Sequence, residues 1–172
     1  FLCFWKSQRF ICILINDYSS YDQTNWFLWC TSKNESLMIK KDTKVAVLGA
    51  GAMGCLFGGL LAEKGLDVVL IDVWKEHVKE INSKGLKMMG HGGDRIIKIK
   101  ATTEPQKLDK VDAIIVMCKA TALKTALTNA KNIIGDKTML MSFQNGIGHE
   151  EIMQEIAGKE KVLGGSTTQA AS

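Results

Sequence analysis

Long apolar runs are missing from this sequence, and nothing approaches the ~18–20 apolar residues that a bilayer-spanning helix needs. No membrane partner is therefore expected. Blocks of like charge are missing too. The formal net charge is only +4, with no Lys/Arg cluster and no basic–aromatic interleaving, so no nucleic-acid partner is expected. The five cysteines (Cys3, Cys12, Cys30, Cys55, Cys118) form no C-x-x-C pair. They also keep no metal-ligand spacing with the histidines, so no metal site is expected. An odd number of scattered thiols points to a reducing compartment and a cytoplasmic location. At 172 residues the chain can still bury a real core.

A second set of absences is local. Residues 1–37 contain no Gly, Ala, Val, Met, Pro or His, yet they hold three of the four Trp, four of the six Phe and both Tyr. All 16 Gly lie in the rest of the chain. Such a break in composition is hard to assign to one domain, and the first methionine is Met38. The expectation is a non-domain extension over 1–37, such as translated upstream sequence, followed by a domain over 38–172. A signal peptide does not fit, because the apolar stretch Phe10–Ile15 is short and is closed by Asn16-Asp17.

What the second part does contain is Lys44-Val45-Ala46-Val47-Leu48 running straight into Gly49-Ala50-Gly51-Ala52-Met53-Gly54, with an apolar helical pattern behind it. Strand, Gly-x-Gly-x-x-Gly turn and helix are the order a dinucleotide-binding loop requires. Gly49 would turn the chain out of the strand. Gly51 would admit a pyrophosphate close to the backbone, and Gly54 would let the helix pack tightly on the sheet. The free N–H groups and the dipole at the helix start would hold the phosphate charge. The alternative is a plain tight turn.

Further along, Leu66–Ile71 reads as a buried strand ending at Asp72, which completes a β-α-β unit. Trp74–Lys84 reads as a helix closed by Gly85, and Leu86–Lys100 as a β-hairpin turning at Gly90–Gly93. Val111–Met117 suits a central parallel strand. Thr121–Ile134 carries Leu123, Leu127, Ala130 and Ile134 on one helical stripe. Thr138–Phe143 is a strand, His149–Ala157 a short helix, and Lys161–Gly164 starts a last strand. This alternation predicts an α/β protein with a doubly wound, Rossmann-type parallel sheet. The sequence ends without a closing helix, so the sheet is expected to be truncated at the C-terminus.

Ligands of such sheets bind at the carboxyl ends of the strands. Asp72, 23 residues after Gly49, stands where a carboxylate can accept from both hydroxyls of the adenosine ribose. A 2′-phosphate there would meet a like charge, softened by Lys75. Lys119, after the Val111–Met117 strand, could face the cofactor or an anionic substrate. Asn145, in Gln144-Asn145-Gly146-Ile147-Gly148, has an amide suited to a substrate hydroxyl or to the nicotinamide ribose. Each has a plain structural alternative: a solvated strand-end aspartate, a helix-start lysine, an Asn-Gly turn. Cys118 has no recognisable histidine base, so a nucleophilic role is not expected.

The glycine loop, Cys118-Lys119-Ala120, Gln144–Gly148 and Gly165-Ser166-Thr167-Thr168-Gln169-Ala170-Ala171 occur in an order and spacing that resemble the N-terminal domain of the ketopantoate reductase (2-dehydropantoate 2-reductase) family. The resemblance covers about residues 43–172. It implies an oxidoreductase that passes a hydride from NADPH or NADH to the keto group of 2-dehydropantoate, a small keto acid, giving pantoate for pantothenate and coenzyme A synthesis. Carried over, Gly49, Ala50, Gly51, Ala52, Met53 and Gly54 form the phosphate loop. Lys119 and Asn145 lie beside the nicotinamide ribose and the substrate, and Thr168 lies near the same cleft. The resemblance implies that the family's catalytic lysine and a substrate-binding glutamate belong to a helical C-terminal domain, which is expected to be missing from these 172 residues. This chain is therefore expected to bind cofactor without turnover, and a homodimer is left open for the full-length protein. The family usually takes NADP, with an arginine often placed where this chain has Asp72-Val73, and Asp72 favours NAD. The alternatives are another two-domain 2-hydroxyacid or polyol-phosphate dehydrogenase, or a stand-alone NAD(P)-sensing module.

Overall fold

The computed structural model describes residues 42–90, 93–144 and 146–167, together with the paths of three strands near the N-terminus. Those three are β1 (Leu2–Lys6), β2 (Arg9–Ile13) and β3 (Leu28–Cys30). The regular part begins with β4 (Lys44–Leu48), α1 (Ala52–Glu63) and β5 (Asp67–Ile71). It continues with α2 (Lys75–Lys84), the short strands β6 (Leu86–Met88) and β7 (Arg95–Ile97), and β8 (Lys100–Thr102). The second half holds β9 (Val111–Val116), α3 (Leu123–Asn129), β10 (Ile134–Ser142), α4 (His149–Ala157) and β11 (Val162–Thr167).

Six strands run parallel in the order β11-β10-β9-β4-β5-β8. Counted along the chain from β4, that order is third-second-first-fourth-fifth-sixth when read from the β8 edge, the doubly wound order of dinucleotide-binding sheets. The expected α/β doubly wound sheet is therefore present. Beyond β11 the sheet continues antiparallel through β1, β2 and β3, with Leu2 opposite Thr167.

Alternation along the central strands builds two cores. Val45 and Val47 of β4, with Ala113 and Ile115 of β9, face Phe57 of α1 and Val78 and Ile81 of α2. Ala46 and Leu48, with Ile114 and Val116, face Leu123 and Leu127 of α3 and Met153 of α4. Both faces are thus covered, as a parallel sheet requires.

Two elements differ from their expected form. The helical stripe expected over Thr121–Ile134 is a 3-10 turn at Ala120–Ala122, then α3, then a second turn at Lys131–Ile133, after which Ile134 opens β10. Ile133, rather than Ile134, fills the core, and the Asn132 amide donates to the carbonyls of Pro105 (3.1 Å) and Leu108 (3.3 Å). That tether sets the turn where apolar spacing alone suggests more helix. β10 starts before the expected Thr138 because the buried Thr138 hydroxyl bridges an irregular register. It accepts from the Gly135 N–H (2.7 Å) and donates to the Val111 carbonyl.

The segment expected as one hairpin over Leu86–Lys100 divides. β6 and β7 pair antiparallel, while Lys100–Thr102 joins the main sheet beside β5. The outer edge of β8 is met by a side chain. Asn82 of α2 donates to the Ala101 carbonyl (2.8 Å) and accepts from the Ala101 N–H (2.9 Å), as a neighbouring strand would.

Candidate cofactor-binding site

At the carboxyl ends of the strands, backbone hydrogen bonds carry the sheet's order into the loops. The Gly49 N–H donates to the Ile71 carbonyl (2.8 Å), the Met117 N–H to Leu48 (2.8 Å) and the Asp72 N–H to Thr102 (3.1 Å). Four strand ends are thereby held in fixed relation around the glycine loop.

Each glycine of the loop has its own reason. Gly49 has φ +103°, and a Cβ there would stand 2.5 Å from the Cys118 nitrogen, so the end of β9 crosses directly over it. A Cβ on Gly54 would stand 1.8 Å from the Gly49 carbonyl oxygen, so α1 closes on the turn as expected. Gly51 is different: beyond its own chain neighbours, nothing lies within 4 Å of the position its Cβ would take. Its neighbourhood is open, and both Gly51 and Ala52 are exposed. Helix α1 begins there with no side-chain cap and no acidic residue in its first turn. The first N–H groups of a helix have no partner within it. Open space before uncapped N–H groups and a positive dipole end fits the pyrophosphate of a dinucleotide.

Asp72 lies within this constellation. Its Oδ2 accepts from the Ala50 N–H (2.7 Å) and its Oδ1 from the Trp74 N–H (3.0 Å). Each carboxylate oxygen has a second lone pair left to accept a ribose hydroxyl. Val73 and Trp74 follow, 88% and 61% exposed, forming an apolar shelf beside the carboxylate. The Trp74 indole stacks on His77 with ring centroids 5.3 Å apart.

Lys119 lies exposed just past β9, at the start of the Ala120–Ala122 turn. Its predecessor Cys118 abuts Gly49, so the structure brings the β9 end and the glycine loop together. Asn145 and Thr168 lie outside the described residues, as does His91. The Gln144 amide donates to the Cys118 carbonyl and joins the ends of β9 and β10. The buried His149, which opens α4, would meet a Cβ on Gly146 at 3.0 Å.

Two thiols line the site. Burial pushes the Cys55 thiol up to about 11, helped by the Asp72 charge. Burial raises Cys118 as well, and hydrogen bonds from its own backbone and from Gln144 oppose part of that rise. Both shifts favour the neutral thiol. No group of three or more metal-ligating side chains occurs among the described residues, and no helix of theirs is long and apolar enough to cross a membrane. An open recess of about 550 Å³, lined by Lys75, Val78, Lys79, Asn82, Ser83 and Thr103, lies along α2 and includes none of the loop residues.

Sequence reasoning missed His77, Gln144 and Cys55. The Cys55 Sγ lies 3.1 Å and the His77 Nε2 3.0 Å from the Ala50 carbonyl oxygen. Cys55 could have been noticed one residue after the motif. His77 could be found only once the start of α2 was fixed, because its contact spans 27 residues.

A doubly wound sheet with an open glycine loop at its switch point defines a Rossmann-type, dinucleotide-binding protein. Residues 45–172 match the family described as Ketopantoate reductase PanE/ApbA, and the chain belongs to that family of NAD(P)-dependent oxidoreductases. It is 44% identical over 128 residues to a 2-dehydropantoate 2-reductase of Pyrococcus abyssi, covering 74% of this chain and 41% of the relative. It is 35% identical over 130 residues to the enzyme of that name from Lactococcus lactis, covering 74% and 42%. Among solved structures, a D-mandelate dehydrogenase with NADH and anilino(oxo)acetate is similar with a TM-score of 0.71 and 36% identity, covering 74% of this chain and 41% of that one. The chain thus spans about two fifths of the length of these relatives.

Proposed function

We propose that this chain binds a nicotinamide dinucleotide at the Gly49–Gly54 loop and forms the cofactor-binding part of a 2-dehydropantoate 2-reductase. The observation that carries this reading is the open space before Gly51 at an uncapped helix start, with Asp72 at the end of the next strand. The pyrophosphate would rest on the N–H groups of Gly51, Ala52 and Met53. The ribose hydroxyls near the adenine would bond Asp72. Lys119 and Asn145 would flank the nicotinamide ribose and the keto acid, with Thr168 near the same cleft. The bound cofactor supplies a hydride for the substrate's keto carbon.

The 172 residues by themselves are proposed to bind cofactor without turnover, since the match accounts for 41% of the length of the Pyrococcus relative. Reduction of the keto acid, a cytoplasmic location and a homodimer belong to the proposal for the full-length protein. Residues 38–172 are proposed as the functional domain and residues 1–37 as an appendage to it. The break in composition supports this, as does a family match that begins at residue 45.

For the cofactor we propose that NADH binds more tightly than NADPH, because the 2′-phosphate would face the Asp72 carboxylate. A second reading of the substrate, another 2-keto acid reduced to its 2-hydroxy acid, is favoured by the likeness to the D-mandelate dehydrogenase. Titration of NADH and NADPH fluorescence with the 172-residue chain, and with residues 38–172 alone, tests the binding claims. NADH is expected to bind at least about tenfold tighter, a difference of about 1.4 kcal/mol. Equal or reversed preference sinks the role given to Asp72. Failure of both to bind sinks the site.

A further inference from the structure

We propose that His77 is a positioning residue for the phosphate-binding loop, holding the Ala50–Gly51 peptide so that the Gly51 N–H faces the ligand. The proposal rests on the reading of this loop as a dinucleotide site and adds a residue to it. The peptide bonds of the described residues are trans, so a carbonyl and the N–H that follows it point in opposite directions. Fixing one therefore aims the other.

Two successive peptides are fixed in this way. The Gly49 carbonyl lies against Gly54, and the Ala50 N–H on the other side of that peptide donates to Asp72 (2.7 Å). The Ala50 carbonyl then lies 3.0 Å from His77 Nε2 and 3.1 Å from Cys55 Sγ. A carbonyl oxygen has two lone pairs, and both contacts need a donor, so the imidazole carries its hydrogen on Nε2. With that oxygen turned inward, the Gly51 N–H turns outward, to the side where Gly51 is exposed and no atom beyond its own chain neighbours lies within 4 Å of its missing Cβ. A flipped peptide would present a carbonyl oxygen to a phosphate and withdraw a donor from it.

The imidazole is itself held in place. It lies in the first turn of α2 and stacks on Trp74 at an interplanar angle of 23°. Trp74, in turn, donates its backbone N–H to Asp72 (3.0 Å), so one carboxylate ties the glycine loop to the entry of α2. Cys55 makes the second contact from α1, with its Sγ 3.6 Å from His77 Nε2. Two elements, α1 and α2, thus converge on the Ala50–Gly51 peptide, and the β5 end holds the peptide before it.

The test uses the 172-residue chain as wild type, as His77→Phe, which keeps a ring against Trp74 without a donor, and as His77→Gln, which keeps a donor of similar reach. Amide hydrogen exchange of residues 49–55 is read without ligand, and NADH affinity is read separately. His77→Phe is expected to speed loop exchange and to weaken NADH binding, each about tenfold. Exchange in α3 and β10 is expected to stay unchanged, and His77→Gln is expected to restore most of both effects. Unchanged loop exchange in His77→Phe overturns the proposal. So does a His77→Gln variant no better than His77→Phe, or equal acceleration throughout the sheet. If the wild type binds neither NADH nor NADPH while loop exchange still responds, the dinucleotide reading fails and the His77 clamp stands. If the wild type binds and the loop does not respond, the clamp alone fails.

Discussion

Gly51 and Gly54 are the same residue type in one motif, yet the structure requires them for different reasons. Gly54 answers to the protein, because a methyl group there would stand 1.8 Å from the Gly49 oxygen. Gly51 answers to the proposed ligand, because a methyl group there meets nothing, and its φ of −69° suits any residue. Gly54→Ala is therefore expected to cost about 1–3 kcal/mol of stability by overpacking. Gly51→Ala should leave stability within about 0.5 kcal/mol while weakening NADH binding about tenfold or more. Thermal unfolding paired with fluorescence titration separates the two, and a stable Gly54→Ala variant would contradict the close approach. Cys55 gives a pH prediction at the same scale. Its folded-state value of about 11 lies above the ordinary 9.0, since burial and Asp72 both favour the neutral thiol. The resulting contribution to stability is complete below pH 9 and is lost as pH rises toward 11. At pH 8 the Cys55 thiolate should be about a hundredfold scarcer than in an unfolded chain. Peptide-resolved alkylation by iodoacetamide should show Cys55 protected until the protein unfolds.

Among the elements, β8 depends most on a single side chain. It is three residues long, pairs with β5 on one side only, and meets the Asn82 amide on the other. Asn82→Ala removes both bonds and leaves the backbone of Ala101, 8% exposed, short of a donor and an acceptor. A loss of about 1–3 kcal/mol is expected, with faster amide exchange at residues 100–102 and little change in β9 and β10. Uniform acceleration would mean that Asn82 supports the whole sheet instead. This edge also shows where reading the sequence reached its limit. Val45–Leu48 and Val111–Val116 are legible because they are apolar on both faces, as a central parallel strand must be. Lys100-Ala101-Thr102 is not, since its outer partner is a side chain 19 residues away. The end of α3 is hidden in the sequence for a related reason. Apolar spacing continues to Ile134, but the Asn132 tether to Pro105 and Leu108 is a long-range bond that no local pattern displays.

At the scale of the molecule, the chain builds the sheet in two halves that meet between β4 and β9. The glycine loop, Asp72 and His77 come from the first half, and Lys119 and the Gln144 link come from the second. The places of the glycine loop, Asp72 and Lys119 at strand ends are legible because each follows an apolar run in sequence. His77 is not, because its role depends on how α2 docks. A ligand that bridged both halves would add its binding energy to the junction between them. In the proposed site a dinucleotide would reach from the Gly49–Gly54 loop toward the end of β9, whereas AMP would engage only the first half. At a concentration of NADH a hundred times its dissociation constant, stabilisation should be about 2.7 kcal/mol. For a chain of this size each kcal/mol raises the unfolding midpoint by about 2–4 °C, so a rise of about 5–10 °C is expected. NADH should slow amide exchange both at residues 49–55 and at residues 117–122, and AMP only at the former. If NADH protects residues 49–55 alone, the site does not cross the switch point, and the place given to Lys119 beside the nicotinamide ribose is wrong.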